Sequence, residues 1–211
     1  MQEPLLPLFP LEVVLLPSNR LPLHIFEERY KEMIGEAVRT NTEFGIVQAG
    51  EAGILNLGCT ATVENVVKEY PDGRLDIITL GRRRFEILFL DEAKPYLRGA
   101  VTFFEDDDFH EASAEARTMA LACFELFQRQ EEIERAAPSK DDPLLSFKVA
   151  AHIPDLSFRQ TLLAMRSEAD RITHINQFLP DYIAKLKRAN HVRKVAPNNG
   201  HGYIAVGKKP E

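Results

Sequence analysis

The sequence predicts an α+β protein, a small β-barrel or sandwich followed by a bundle of helices. Three observations carry this. Up to about residue 105, Gly and β-branched residues fall in short runs between turns, whereas Ala, Leu, Glu, Gln and Arg dominate beyond it. Tyr70-Pro71-Asp72-Gly73-Arg74 combines a proline that presets φ with a glycine that accepts positive φ, between two strand-like runs. In the second half, apolar residues recur at helical spacing. The length of 211 residues fits one domain or two small ones. The reading divides the chain into a barrel with one helix over 1–105, a helical bundle over 106–188 and a basic tail over 189–211.

In the first half, five prolines within residues 4–22 favour an extended chain. Val13–Leu16 is a short apolar run that Pro17-Ser18-Asn19 breaks. A helix is predicted from His24 to Arg39, with Ile25, Phe26, Met33, Ile34, Ala37 and Val38 on one side and Glu27, Glu28, Lys31 and Glu32 on the other. Strands follow at Phe44–Gln48 and Gly58–Lys68. A hairpin joins Val63–Glu69 to Leu75–Leu80, and further strands are predicted at Arg84–Phe89 and Leu97–Phe104.

In the second half, Glu111–Arg135 places Ala116, Met119, Ala120, Cys123, Phe124 and Phe127 on one stripe. Asp142 and Pro143 suit the start of the next helix, which Pro154 stops. Ser157-Phe158-Arg159-Gln160 reads as a capping box for a helix to Arg166. A last helix begins near Ser167 and carries Ile172, Ile175, Leu179, Ile183 and Leu186, with Pro180 predicted to kink it.

Charge and composition exclude several classes. With 26 Lys+Arg against 32 Asp+Glu, the formal net charge is -6, which argues against general affinity for nucleic acid. No apolar run approaches the ~20 residues a membrane span needs, and the start lacks the basic segment of a signal peptide. Two cysteines, Cys59 and Cys123, give no disulfide framework, so the expected compartment is the cytoplasm.

The opening, Leu5-Leu6-Pro7-Leu8-Phe9-Pro10-Leu11-Glu12-Val13-Val14-Leu15-Leu16-Pro17 and Leu21-Pro22-Leu23-His24-Ile25-Phe26-Glu27-Glu28-Arg29-Tyr30, resembles the amino-terminal, substrate-binding domain of bacterial Lon proteases. The likeness continues at Gly58-Cys59-Thr60-Ala61, Pro71-Asp72-Gly73-Arg74, Gly81-Arg82-Arg83-Arg84-Phe85, Ala150-Ala151-His152-Ile153-Pro154 and Leu162-Leu163-Ala164-Met165, so it covers roughly 5–188. It implies a PUA-like small β-barrel followed by a C-terminal helical bundle, a module that captures unfolded or tagged proteins and helps hold a hexamer together. The chain ends where the family's ATPase and protease domains would begin. The resemblance therefore implies a stand-alone relative, and no catalytic residue carries over.

Motifs for other chemistry are weak. Gly202–Lys209 fits G-x-x-x-x-G-K but puts Lys where Ser or Thr should bind magnesium, and leaves no room for a following helix. Cys59 in a Thr/Ala/Val run and Cys123 on a helix stripe read as core residues. No two of the six histidines lie closer than ten residues, so no local metal motif exists, and no cofactor is expected. Asp106-Asp107-Asp108 reads as a solvated linker beside a helix start. Arg82, Arg83 and Arg84 are candidate anion contacts, but alternate strand residues face opposite sides, so the three cannot form one patch.

The expected function is non-enzymatic: an apolar groove where the two halves meet binds exposed hydrophobic protein segments, with an adaptor role that feeds a separate protease as an extension of it. Leu8, Phe9, Leu11, Phe26 and Tyr30 are its candidate contacts, although the alternation at Phe9, Leu11, Val13 and Leu15 equally suits a half-buried strand. The alternatives are an RNA-binding PUA-like module and a small-ligand-binding regulatory protein.

Overall fold

The computed structural model describes residues 5–51 and 53–195. Their elements are β1 (Leu6–Leu11), β2 (Arg20–Ile25), α1 (Glu28–Thr40), β3 (Phe44–Gly50), β4 (Gly53–Glu69), β5 (Leu75–Asp91), β6 (Arg98–Phe104), α2 (Ala114–Glu131), α3 (Leu145–Ala150), α4 (Leu156–Ala164) and α5 (Glu168–Val195). The architecture is α+β. The six strands form one sheet in the order β2-β5-β4-β3-β1-β6, with β5 also paired to β6.

The long hairpin organises this sheet. β4 and β5 each run for 17 residues on either side of the turn at Tyr70–Arg74, where Gly73 takes φ 81°. Three register shifts between them bend the pair. β5 then serves two partners, pairing with β2 over 75–80 and with β6 over 84–91. The pairings run in a ring through β5, β4, β3, β1 and β6. Its join is thin, because β1 meets β6 at only two residue pairs, Leu6–Gly99 and Pro7–Arg98, so the barrel is not clearly closed.

β1 lies parallel to β3, with α1 in the intervening chain, and both its faces are covered. Leu6 and Leu8 enter a small inner cluster with Val47 and Phe85. Phe9 points the other way, onto Tyr30 of α1 at 4.1 Å between ring centroids. The inner cluster leaves no space for side chains at two crossing points. A Cβ at Gly45 or Gly58 would come within 2.6 Å of the Phe85 ring tip.

A second, much larger cluster begins under α1, with Met33, Ile34, Phe44, Ile46 and Ile77, and continues unbroken into the helices. There α2 contributes Ala120, Phe124 and Phe127, and α5 contributes Ile172, Ile175 and Leu179. Sheet and helices therefore share one core.

Several boundaries differ from the sequence expectation. Residues 20–25 pair as a strand with β5, so the first helix starts at Glu28 and not at His24. Pro22 is tolerated because β2 is an edge strand. Val13–Leu16 is irregular, yet Val14, Leu15 and Leu16 are buried. α4 is capped by Asp155, which accepts from the Phe158 amide at 2.8 Å, rather than by Ser157. α2 is shorter than expected, running from the Ser113 cap to a left-handed Glu132. α5 continues through Pro180 and past the boundary expected at 188. The expectations for Gly202–Lys209 and the end of the basic tail fall outside the described residues.

Candidate polypeptide-binding site

The candidate contacts from the sequence are not gathered at one surface. Leu8, Phe9 and Tyr30 are buried and Leu11 is half-buried; only Phe26 is exposed, at 59%. Phe26 stacks on His24 at the end of β2, 6.0 Å between centroids. His24 in turn meets Asp76, which also accepts from the Tyr70 hydroxyl at 2.8 Å.

The three arginines at the middle of β5 differ in exposure, but all three line one surface cleft, so strand alternation does not keep them apart as expected. Arg82 is exposed. Arg83 is also exposed; it pairs with Glu43 at 3.0 Å and lies 3.7 Å above the Phe103 ring. Arg84 turns inward, donating to the carbonyls of Leu163 and Met165 and to Asp106 at 2.6 Å.

Asp106, read from the sequence as a solvated linker, is instead the centre of the seam between sheet and helices. One oxygen accepts from Arg84, and both accept from the Arg171 guanidinium, at 2.7 and 2.6 Å. Arg171 is fully buried and also contacts Glu168 and the Ser146 hydroxyl. Glu168 accepts from the Ser146 amide at 2.9 Å, which joins α3 to the same network. Burial pushes the Asp106 carboxyl up, but the hydrogen bonds and charges of Arg171 and Arg84 outweigh it and hold the carboxyl below its ordinary range. Burial likewise lowers Arg171, and its two carboxylate partners more than restore it.

Above this network the seam opens into a cleft of about 290 Å3. Phe103 and Phe104 from β6, Phe109 from the following strap, and Phe147 from α3 supply aromatic walls, with Arg82 and Arg83 on the rim. Phe109 is 84% exposed and Phe103 40%. These two residues were missed in the sequence because neither lies on a periodic stripe. A signal for the network was present, since Arg171 precedes Ile175, Leu179 and Ile183 at four-residue steps on an otherwise apolar face.

Burial pushes the Cys59 thiol up to about 12, which keeps it protonated at neutral pH. Among the described residues, no group of three His, Cys, Asp or Glu could hold a metal ion, and no helix is long and apolar enough to cross a membrane.

Comparison with known proteins gives this geometry a context. Residues 5–181 match the family described as the ATP-dependent protease La (LON) substrate-binding domain. Lon protease of Parabacteroides distasonis is 35% identical over 109 residues, 48% of this chain and 13% of that protein. Lon protease 2 of Herpetosiphon aurantiacus is 23% identical over 211 residues, 92% of this chain and 25% of that protein. The chain thus spans a quarter or less of these curated relatives. Among solved structures, a Lon N-terminal domain protein from Xanthomonas campestris superposes with a TM-score of 0.66 at 25% identity, covering 83% of this chain and 99% of its own. The N-terminal domain of Mycobacterium avium complex Lon protease has the same fold, with a TM-score of 0.61 at 18% identity over 84% of this chain and 99% of its own. With the family match running from the first strand into the last helix, this chain belongs to the Lon substrate-binding domain family.

Proposed function

We propose that the protein recognises exposed apolar segments of other polypeptides and takes them into the aromatic cleft at the seam. The observation that carries this reading is the pair Phe103 and Phe109, large aromatic side chains left facing solvent in the lining of one concave surface. Burial of apolar area supplies the affinity, at about 25 cal/mol per Å2. Arg82 and Arg83 at the rim would meet acidic residues flanking the apolar segment. Phe26 forms a second exposed contact, whereas Leu8, Phe9 and Tyr30 are core residues and Leu11 is half-buried. The protein performs no chemistry on what it binds in this reading, and it presents clients to a separate protease as an adaptor. Both cysteines are free thiols, which fits a cytoplasmic setting.

Titration of labelled apolar peptides and of an unfolded model protein, followed by fluorescence anisotropy, tests the reading. Saturable binding is expected, weakened at least tenfold by Phe109→Ser with no loss of thermal stability, because that ring contributes little to the core. Absence of saturation with every probe at high micromolar concentration overturns it.

A further inference from the structure

A second concavity, on another stretch of the seam, has a different character. It holds about 580 Å3 between the Ser18–Arg20 turn, β4 and the end of α3. Three cations line it, Arg20, Arg135 and Lys148, against one carboxylate, Glu64, a formal excess of two positive charges. Glu64 is taken up by Arg20 in a bidentate pair at 2.5 and 2.9 Å. The other two cations have only neutral partners. Lys148 donates to the Ser18 carbonyl at 2.8 Å, and Arg135 meets His152 Nδ1 at 3.1 Å. Among the described residues, neither forms an ion pair.

The position of His152 reinforces the charge imbalance. An arginine can only donate, so Nδ1 of His152 accepts and the ring is neutral with its proton on Nε2. Burial lowers the imidazole, and the charges of Arg135 and Arg159 lower it further. Arg159 lies behind it, spent on the carbonyls of Ala151 and Ile153. Arg135 and Arg159 thus both act on one neutral ring, in a pocket where Glu64 is the single acid. Such a pocket stores unfavourable like-charge repulsion that an incoming anion relieves. A single carboxylate would cancel half of the excess. A phosphate dianion cancels all of it and offers enough oxygens for an ammonium and a guanidinium together.

We propose that this pocket binds a phosphate-type dianion, held by Lys148 Nζ and the Arg135 guanidinium with Arg20 at its rim. The site is distinct from the aromatic cleft, and the assignment does not depend on the polypeptide reading. The phosphoryl group could be free or carried on a polypeptide, and the two sources are separable by experiment. Isothermal titration of the full chain is carried out with inorganic phosphate, pyrophosphate, a phosphoserine peptide and the same peptide with serine. Saturable binding of at least one phosphorylated probe is expected, weakened at least tenfold by Lys148→Gln. Glu64→Gln, which removes the competing carboxylate from an exposed pair, is expected to tighten binding at least threefold, a gain that misfolding cannot imitate. Binding of the inorganic anions supports a free ligand, and binding of the phosphoserine peptide alone supports a polypeptide-borne group. Failure of every phosphorylated probe to saturate overturns the site. So does equal affinity in both variants, or a serine peptide that binds as tightly as its phosphorylated form.

Discussion

Asp106 holds two guanidinium groups that have almost no contact with water, Arg84 at 5% and Arg171 at 0% side-chain exposure. Taking one partner out of a buried ion cluster leaves charge without compensation. Asp106→Ala is therefore expected to cost about 3–5 kcal/mol in urea unfolding, by the usual cost of breaking a buried pair. The same carboxyl gives the protein an acid limit. Its folded-state value is depressed, so its contribution is complete above the ordinary carboxylate value of about 4 and is lost as pH falls through the lower folded value. Wild type should lose stability below about pH 4 more steeply than Asp106→Ala, measured by urea midpoints across pH. Little of this residue's role was legible beforehand. Three consecutive aspartates look solvated in any sequence, and only the return of α5 to β6 brings Arg171 and Arg84 to the same atoms. The meeting of Arg82, Arg83 and Arg84 at one cleft also escapes strand period, because the ladder with β4 shifts register between Gly81 and Arg84.

Among elements, the crossing of β3 and β4 over Phe85 has the least freedom. Gly58 packs its backbone against the Ile46 carbonyl and the Phe85 ring, and an added Cβ would come within 2.6 Å of both. The carbonyl cannot rotate away, so Gly58→Ala is expected to cost roughly 1–3 kcal/mol, the usual range for overpacking. Gly35→Ala, where nothing lies within 4 Å, is the matched control by thermal melting. Local signals located most elements but not all their ends. The Pro-Asp-Gly turn found the hairpin because turn chemistry is confined to five residues. The start of α1 was misplaced because Ile25 and Phe26 continue the helical spacing. Backbone pairing of 20–25 with β5 decides the matter, and that partner is 50 to 60 residues away. At α4, Asp155 and Ser157 are both competent caps. Arg159 binds the Ala151 and Ile153 carbonyls and so fixes where the preceding segment ends, which leaves Asp155 at the cap position.

Across the whole molecule, one apolar cluster joins Phe44 and Ile77 of the sheet to Phe124 and Ile175 of the helices. A core shared in this way couples the halves. Urea unfolding followed by far-ultraviolet circular dichroism and by tyrosine fluorescence should give one coincident transition; two separated midpoints would show that sheet and helices fold independently. The seam carries two concave surfaces, one aromatic and one cationic. The order of strands before helices, the apolar stripes and the family likeness are legible in the amino-acid sequence, since all of these are written in local spacing and in contiguous motifs. Tertiary structure alone decided that Leu8, Phe9 and Tyr30 lie inside, that Phe103 and Phe109 lie outside, and that Asp106 binds two arginines. Burial and ion pairing depend on residues brought together from distant parts of the chain, and no local pattern encodes those meetings.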